Sequence, residues 1–415
     1  MSPPPPVRQD HIQLGRQLDI FTTDPLVGAG LPLWLPAGAA VRYELEQFIL
    51  ELERRAGYEH VVTPAVAKQE LYARSGHWEY YAQDMFPPME TGEAGERLVL
   101  RPVNCPHHIL VYRHADRSYR DLPLRLAELG DMYRMERSGV VSGLSRVRAM
   151  TLNDGHVFCR PAQVGEEVAA ILDLVDASYD RLGLVVSEVR LSTRDEASDK
   201  WAGDSEQWRS SEAALRAVLG ARDGAWTETP GDAAFYGPKV DIDVADVHGR
   251  AFTLSTVQVD LWMPDRFDLR YVDEEGARQR PVMVHRSILS TAERLMAFLL
   301  ERTQGRFPYW LAPEQVHLLP VSDTHAQAAR EVAASLRCAG VRSEVVPASR
   351  SLGSRVRRAA DRMVPVTAVL GDREVEAGQV SVRLRGSRDA VSVTLPALQG
   401  ALEGAGRDRL QMPVL

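Results

Sequence analysis

The order of predicted strands and helices changes near Pro313, and this change limits what the chain can fold into. Before it, strands with one polar face follow one another, and long amphipathic helices lie between them. After it, short apolar strands alternate with helices, from Val316 to a last helix that begins at Leu395. The first pattern is typical of an antiparallel sheet with helices at its edges, and the second of βαβ units with parallel strands. The sequence therefore predicts an α+β protein with two unlike domains.

Three segments are expected along the chain. Residues 1–10 contain four consecutive prolines and are expected to form an extended tail. A mainly antiparallel domain should cover residues 11–312, and a smaller α/β domain should cover residues 313–415. Among the individual elements, a strand is predicted over Leu124–Tyr133 and a helix over Ala326–Cys338. A length of 415 residues is enough for two domains with full hydrophobic cores.

Charge is spread unevenly between the two predicted domains. The whole chain carries 49 Lys and Arg against 57 Asp and Glu, for a net charge of −8 at pH 7. From Val316 to the C-terminus, however, 14 Arg stand against 10 acidic residues, which gives +4 and leaves −12 for the remainder. Such asymmetry allows a site for a polyanion on the second domain.

Compartment and membrane association can also be predicted. The three cysteines are irregularly spaced and do not form a disulfide framework, which indicates a reducing compartment. No apolar run approaches the roughly 20 residues that cross a bilayer, and the N-terminus lacks the basic start and apolar run of a signal peptide. We therefore expect a cytoplasmic protein that does not bind membranes.

Residues 101–160 concentrate groups that can bind a metal ion. They include Cys105, His156 and a second cysteine, Cys159. Thiolate and imidazole are ligands that zinc prefers, and His285 is the best candidate for a third ligand. Three protein ligands would leave a fourth position open for a substrate. The alternative is a buried thiol with two hydrogen-bonded core histidines. No helix is predicted around Cys105, which lies in a proline-flanked segment.

Arginines recur beside the predicted strands of the first domain. The candidates are Arg134 and Glu136 in GDMYRMERSG, Arg146 and Arg148 in the next predicted hairpin, and Arg294 in a later helix. Guanidinium groups on one side of a sheet can bind a triphosphate and stabilise charge that develops on it. The alternative is a set of surface salt bridges. No GxxxxGK[ST] or GxGxxG segment occurs in the right context, so a P-loop or Rossmann site is not expected.

Two turn-like segments carry further candidates. FYGPK places Lys239, one of only three lysines, at the start of a predicted strand. GDREVEAGQVSVR places Glu374 and Arg383 on either side of a predicted turn in the basic domain. Carboxylate and guanidinium groups can read the exposed base edges of single-stranded RNA. An ordinary turn and a solvated hairpin are the alternatives.

Several segments together resemble the threonyl-tRNA synthetases, a family of class II aminoacyl-tRNA synthetases. They occur in that family's order and spacing, from about Asp10 to near the C-terminus: RPVNCPHH, YRMERSG, SRVRAMTLNDGHVFC, AFYGPK, STVQVDL, PVMVHRSILSTAERL, WLAPEQV and GDREVEAGQVSVR. The resemblance implies an antiparallel catalytic domain followed by an α/β anticodon-binding domain. The helix predicted over Ala39–Arg55 and the strand that ends at Pro64 are similar to motif 1 of the class, which implies a homodimer.

The same resemblance implies how the amino acid is recognised. One zinc ion per subunit would be held by Cys105, His156 and His285. In the family, the amino and hydroxyl groups of threonine chelate this metal, which rejects valine because valine has no hydroxyl group. The remaining polar contacts to the amino acid match Asp154, Tyr236 and Gln258. Cys159 is then left as a thiol of the core.

The nucleotide and tRNA contacts are also implied by the resemblance. ATP, bound with Mg²⁺, would contact five side chains, namely Arg134, Glu136, Arg146, Met150 and Arg294. The catalytic group would consist of Arg134, Arg294, Lys239 and His77. The three cations would neutralise charge at the α-phosphate, and the histidine would handle the proton when the acyl group moves to tRNA. Glu374 and Arg383 match residues that read the anticodon of tRNA(Thr).

The sequence departs from the family at a few positions around this site. Met150 stands where a phenylalanine usually stacks on adenine, although methionine sulfur can also contact an aromatic ring. Leu152 stands where a glutamine is usual, so that one polar contact to substrate is lost. Ser290 and Thr291 replace the usual Gly-Ser of motif 3, where extra bulk could narrow the pocket.

The resulting hypothesis is an enzyme that converts L-threonine and ATP to threonyl-adenylate and then charges tRNA(Thr), without editing in cis. Because the chain starts at the catalytic core and serine has the same amino and hydroxyl groups, serine mischarging is expected. The alternative is a paralogue that activates threonine or a related β-hydroxy amino acid for specialised metabolism or antibiotic self-resistance. A less favoured hypothesis is an inactive RNA-binding homologue, which the intact arginines and zinc ligands argue against.

Overall fold

The computed structural model describes residues 8–92, 95–195, 197–198, 200–246, 249 and 251–415. Most of the tail predicted over residues 1–10 therefore lies outside the described residues. The alternation of AFTLSTVQVDL also predicts a strand over Arg250–Val259, and its first residue, Arg250, lies outside them too. No helix among the described residues has both the length and the apolar character that a membrane span requires.

The helices are numbered in chain order. Those of the N-terminal part are α1 His11–Gln17, α2 Pro36–Arg55, α3 Gln69–Arg74, α4 His77–Tyr81, α5 Cys105–Tyr112, α6 Val164–Leu182, α7 Ser205–Gly220 and α8 Trp262–Arg266. The later helices are α9 Ala292–Thr303, α10 Ala326–Cys338, α11 Leu352–Asp361, α12 Asp372–Ala377 and α13 Leu395–Arg407.

The strands are numbered in the same way. The first ten are β1 Phe21–Thr22, β2 Leu33–Trp34, β3 Glu59–His60, β4 Val66–Lys68, β5 Met89–Glu90, β6 Arg97–Leu100, β7 Leu124–Tyr133, β8 Ala149–Cys159, β9 Val186–Thr193 and β10 Thr227–Pro230. The others are β11 Lys239–Ala245, β12 Ala251–Asp260, β13 Tyr271–Val272, β14 Arg278–Gln279, β15 Val282–Ser287, β16 Val316–Pro320, β17 Ser343–Val345, β18 Val366–Leu370, β19 Gln379–Leu384 and β20 Val391–Thr394.

The chain divides into two compact units. One consists of Thr23–Pro32 and Glu46–Met296, and the other of Leu33–Leu45, Ala297–Leu415 and the N-terminal residues as far as Thr22. Each unit has its own main sheet.

The first unit is organised around an eight-stranded sheet in the order β10-β9-β11-β12-β15-β8-β7-β3. All pairs are antiparallel except β10–β9 and β3–β7 at the two edges. The predicted antiparallel sheet is therefore confirmed. Its register sets His285 on β15 directly opposite both His156 on β8 and Gln258 on β12. Residues far apart in the sequence thus become neighbours on adjacent strands.

The second unit contains a five-stranded sheet in the order β17-β16-β18-β19-β20. The pairs β16–β17 and β16–β18 are parallel, as the βαβ pattern predicts, while β19 and β20 add antiparallel strands. Apolar side chains from the strands and from α10 and α13 form its core: Val316, Leu318, Val332, Leu336, Val366, Leu398 and Leu402. The separate α/β domain is confirmed, although β20 was not predicted.

Two helices correct the sequence-based expectations. Cys105 begins α5 although no helix was predicted there. Proline is tolerated in a first helical turn because the N–H groups there have no partner within the helix, so Pro106 favours a helix start. Residues 372–377 form α12 instead of a simple turn, and this helix ends where Gly378 adopts φ 62°.

Candidate active site

Three donor atoms converge in the first unit. One ligand atom each from Cys105, His156 and His285 lies within 4.8 Å of the others, and all three residues are buried. The cysteine comes from the first position of α5, and the histidines come from the paired strands β8 and β15. The structure therefore brings together the three residues that the sequence singled out.

The two histidines each present a free ring nitrogen. His156 Nε2 and His285 Nδ1 are buried and have no hydrogen-bond partner among the described residues. A buried polar atom without a partner costs roughly 1–3 kcal/mol, so such atoms call for a ligand. One sulfur and two imidazole nitrogens form a donor set that fits a borderline-soft metal ion.

The other nitrogen of each ring is held by the protein. His156 Nδ1 lies 2.8 Å from His108 Nδ1, and His108 Nε2 lies 3.1 Å from a carboxylate oxygen of Glu128. His285 Nε2 lies 2.9 Å from Asp260 Oδ2. These three supporting residues were not predicted from the sequence. The His-His pair in CPHH was the only signal for any of them, because single buried acids on strands are common.

The thiol needs a cation to act as a ligand. Burial raises the pKa of Cys105 well above its ordinary range, and the nearby Asp154 and Asp260 carboxylates raise it further. A thiolate at neutral pH therefore requires positive charge beside the sulfur. The second cysteine of this stretch, Cys159, is fully buried, and burial raises its pKa to about 12. The expectation that it is a thiol of the core agrees with this placement.

A cavity of about 380 Å³ is lined by His77, Arg134, Asp232, Tyr236, Lys239 and Gln258. The Tyr236 hydroxyl donates to Gln258 Oε1 at 2.5 Å, and its ring stacks on His285 with centroids 4.9 Å apart. This tyrosine thus connects the cavity to the candidate metal ligands.

Asp154 lies two residues before His156 on β8 and so on the same face of the strand. Asn104 donates to its carboxylate with an Nδ2–Oδ2 distance of 3.0 Å. Burial raises the pKa of Asp154, and the charges of His108 and His285 act in the opposite direction. The approach of Asn104 requires Gly130 on the neighbouring strand, because a Cβ there would overlap the amide.

His77 occupies the first position of α4, at the cavity wall. Gly76 precedes it with φ 76°, where a Cβ would overlap the indole of Trp262. Ser75 Oγ lies 2.8 Å from His77 Nδ1. Burial, together with the charges of His285 and Arg134, lowers the pKa of His77 to about 3. The imidazole is therefore neutral at physiological pH.

Three arginines are close enough for their charges to repel one another, and one of them, Arg134, lines the cavity. Burial lowers the pKa of Arg294 on α9, and repulsion from Arg134 and Arg146 contributes to this shift. Arg146 Nε donates to Glu136 at 3.0 Å, whereas Arg134 and Arg294 have no ion-pair partner in the described part of the chain. Guanidinium groups that repel one another and have no carboxylate partner, such as those of Arg134 and Arg294, can bind an anion.

Lys239 is already paired in this structure. Its Nζ lies 2.8 Å from Asp241 and 3.6 Å from Asp232, and the latter lines the cavity. Lys239 is the first residue of β11 and pairs with Gln258 across the ladder to β12. It therefore stands at the cavity edge with its charge partly neutralised.

The remaining first-unit candidates lie on or beside β8. Met150 pairs with Met132 across the β7–β8 ladder. Leu152, two residues further along, forms an isolated bridge with Thr291. Ser290 adopts φ 57°, in the left-handed region where glycine is usual. The residues that depart from the family pattern in the sequence therefore lie close together in the structure.

The two candidates in the second unit are not brought together. Glu374 lies in α12, which follows the C-terminal end of β18, and its Oε2 accepts from the Gly371 backbone N–H at 2.9 Å. Arg383 on β19 pairs with Thr367, near the beginning of β18. The two residues therefore lie toward opposite ends of one strand, and they could contact different nucleotides.

Comparisons with known proteins agree with this architecture. Residues 89–303 match the tRNA synthetase class II core domain (G, H, P, S and T), and residues 315–403 match an anticodon binding domain. The chain is 47% identical over 387 residues to the threonine--tRNA ligase of Staphylococcus carnosus and 49% identical over 389 residues to that of Halalkalibacterium halodurans. Both alignments cover 93% of this chain and 60% of the relative, so the chain spans about 60% of the length of these relatives.

Solved structures show the same similarity over nearly the whole chain. The structure described as the RNA binding domain of threonyl-tRNA synthetase from Cryptosporidium parvum superposes with a TM-score of 0.92 at 35% identity, covering 96% of this chain and 98% of that chain. A putative threonyl-tRNA synthetase from Aeropyrum pernix gives a TM-score of 0.82 at 28% identity, with 98% of each chain covered. The chain belongs to the class II aminoacyl-tRNA synthetases, in the threonyl-tRNA synthetase family.

Proposed function

We propose that this chain activates L-threonine with ATP to give threonyl-adenylate and then transfers the threonyl group to the 3′ end of tRNA(Thr). The observation that carries the proposal is that a candidate metal site and a candidate phosphate site lie together in the first unit. A metal-type donor set of Cys105, His156 and His285 lies beside a polar cavity. Arg134, which has no carboxylate partner among the described residues, lines the same cavity and repels the buried Arg294. The first suits an amino acid with a hydroxyl group, and the second suits a nucleoside triphosphate.

The resident metal in this proposal is one zinc ion per subunit. The buried nitrogens His156 Nε2 and His285 Nδ1, with the Cys105 sulfur, fit it. When bound, zinc would supply Lewis-acid positions for the amino and hydroxyl groups of the substrate. Asp154 would hold the amino group, and Tyr236 with Gln258 would complete the polar shell.

This recognition accounts for the rejection of valine better than packing does. A hydrophobic pocket separates side chains that differ by one methyl group by only about 10- to 200-fold, whereas a site that leaves polar groups unpaired discriminates far more strongly. Serine retains both polar groups, so it should be activated measurably. It lacks the methyl group of threonine, so its activation should be weaker.

Adenylate formation depends on charge neutralisation. A carboxylate oxygen of threonine attacks the α-phosphorus, the bond from that phosphorus to the bridging β-phosphate oxygen breaks, and pyrophosphate leaves with Mg²⁺. Arg134 and Arg294 would stabilise the charge on the α-phosphate, and Lys239 would assist from the cavity edge. The pair of Glu136 and Arg146, together with Met150, would hold the adenosine and the triphosphate in line.

Acyl transfer needs a group that can accept a proton at neutral pH. Burial holds the pKa of His77 well below its ordinary value, so its imidazole is neutral and has a lone pair that would accept a hydrogen bond from the ribose hydroxyl as that oxygen attacks the threonyl carbonyl and AMP leaves. Because a base this weak releases a proton to solvent at neutral pH, the main contribution of His77 would be to orient the hydroxyl group.

We further propose that the second unit reads the anticodon of tRNA(Thr) through Glu374 and Arg383. The net charge of +4 from Val316 to the C-terminus supports RNA binding there, because 14 Arg stand against 10 acidic residues in a chain that is acidic as a whole. Positive groups that neutralise phosphates supply affinity for RNA without regard to its sequence. A carboxylate and a guanidinium group on different elements would then add the recognition of bases.

The proposed enzyme is a cytoplasmic homodimer. The segment that resembles motif 1 supports this assembly, and it corresponds here to α2 and to the residues around β3, up to Pro64. Motif 1 would form the contact between the two subunits.

The test of this function has two stages. ATP–pyrophosphate exchange with the purified chain should be fastest with threonine, weaker with serine and undetectable with valine, and tRNA(Thr) should then be charged with threonine. Exchange with another β-hydroxy amino acid and no tRNA charging would favour the paralogue, and no exchange with any amino acid would leave only an RNA-binding role. C105A should lose exchange, while C159A, which changes a buried cysteine outside the metal-binding set, should retain it.

A further inference from the structure

A chain of hydrogen-bonding groups lies behind His156 and continues away from the cavity. It runs from His156 to His108 and then to Glu128, with separations of 2.8 Å and 3.1 Å. We propose that His108 and Glu128 are positioning residues that fix the tautomer and ring orientation in which His156 binds the metal. This inference rests on the zinc site of the proposed function.

The count of protons along the chain supports this role. A metal on His156 Nε2 uses the lone pair of that nitrogen, so the ring proton must lie on Nδ1. The neighbouring His108 Nδ1 must then accept this proton in a hydrogen bond, because only one proton fits between two nitrogens 2.8 Å apart. His108 Nε2 consequently carries the second proton and donates it to Glu128. With the metal on His156 Nε2, only this one assignment of donors and acceptors satisfies every hydrogen bond in the chain.

Glu128 is a fixed end for this chain. Its carboxylate accepts from the Thr63 backbone N–H at 2.9 Å and from the Thr63 hydroxyl at 2.8 Å. The Arg101 guanidinium lies 3.3 Å from the same carboxylate, and Glu128 and Arg101 are both buried. A carboxylate held by this many donors cannot turn away from His108, so it determines how both rings are oriented.

The local sequence explains why α5 can serve two ligands. Cys105 is the first residue of α5, and His108, three positions later, lies on the same side of the helix. One helix therefore supplies a ligand and the support for a second ligand on β8. His107 is also buried, but its ring contacts Tyr72, with centroids 6.2 Å apart. The other ligand, His285, is supported directly by the Asp260 carboxylate.

Substitutions at these two adjacent histidines test the inference. H108L removes the acceptor beside His156, whereas H108N places an amide oxygen near the position of Nδ1 and preserves it. H107L is the matched control, because it makes the same change at a buried neighbour on the same helix. Zinc affinity is measured by competition with a chromophoric chelator, and the absorption bands of the Co²⁺-loaded chain report the ligand geometry.

The parent should bind one zinc ion per subunit, and H108L should bind it roughly 10- to 100-fold more weakly with altered Co²⁺ bands. H108N and H107L should remain close to the parent. Parent-like zinc affinity in H108L, or equal losses in H108L and H107L, would overturn the inference while leaving the zinc site intact. A loss in H108N as large as in H108L would also overturn it. A parent chain that binds no zinc would overturn the proposed metal site itself.

Discussion

Ser290 has a backbone conformation that is unfavourable for a residue with a side chain. Its φ of 57° lies in the left-handed region, which costs an L-residue roughly 1–2 kcal/mol. The conformation is maintained by the surrounding structure, since the Ser290 carbonyl accepts from the Asn153 N–H at 3.0 Å. We expect S290G to raise the free energy of unfolding by about 1 kcal/mol, because glycine adopts this conformation without the steric cost.

Chemical denaturation of S290G and the parent measures this difference. S287G is the matched control, because Ser287 is a buried serine within β15 and has no positive φ. Glycine inside a strand should lower stability by about 0.5–1 kcal/mol. If both variants were less stable than the parent, strain at Ser290 would not be the controlling effect.

His77 should make stability depend on pH in acid. Its pKa is 6.5 in an ordinary environment and about 3 in the folded chain, so between these values the unfolded chain binds more protons. The stability contribution is therefore complete above pH 6.5 and is lost as the pH falls towards 3, by up to about 1.4 kcal/mol per unit. H77Q should show a shallower fall in unfolding free energy from pH 7 to pH 5, and parallel profiles would contradict this assignment.

The three candidate metal ligands illustrate what sequence alone can supply at this scale. The chemistry of Cys105, His156 and His285 suggested a metal, but their wide spacing matched no short motif. Only the pairing of β8 with β15 places the two histidines together. The supporting residues His108, Glu128 and Asp260 could not be selected, because their significance depends on which ring nitrogen each one faces.

At the scale of elements, boundaries were most predictable where one face is continuously apolar. The predicted bounds of β7 and α10 are those of the structure. Short elements were missed, because α5 and α12 have too few residues to show a period. Pro106 favours the start of α5, and a capping contact stabilises the start of α12. Glu374 caps its own helix in this way, a contact that residue type alone could not indicate.

A buried ion pair joins the C-terminal part of α2 to the eight-stranded sheet. Glu53 Oε1 on α2 lies 2.7 Å from Arg286 Nη2 on β15, and both side chains are almost fully buried. His60 and Asn153 also contact the Glu53 carboxylate, each at 2.8 Å. E53Q should destabilise the chain by about 3–5 kcal/mol, because it leaves the buried Arg286 charge without its partner.

The denaturant midpoint of E53Q measures this loss. R55Q, on the same helix, is the control, since the Arg55 side chain is 75% exposed and its pair with Glu51 is screened by water. It should change the midpoint little. A midpoint for E53Q close to that of the parent would show that the surrounding dipoles, rather than Glu53, stabilise Arg286.

At the scale of the whole molecule, the resemblance of collinear segments carried more information than any single pattern. Composition and periodicity predicted two unlike domains, but they could not relate Cys105 to His285 or Arg134 to Arg294. The order of the eight segments assigned these residues to common sites without any knowledge of how the strands pair. The proposed homodimer is also a property of the whole molecule, and an exposed valine in the segment similar to motif 1 allows it to be tested.

Val62 is 97% exposed and follows β3 in the segment similar to motif 1. One exposed valine is ordinary, but here it immediately precedes Thr63, whose backbone and hydroxyl hold Glu128. If this segment forms the dimer contact, V62D should place a carboxylate in an apolar interface and shift the chain towards monomer in sedimentation velocity. V185D changes another exposed valine, at 65%, and should leave the parent's oligomeric state unchanged. A monomeric parent would contradict the homodimer, and a V62D chain as dimeric as the parent would place the contact elsewhere.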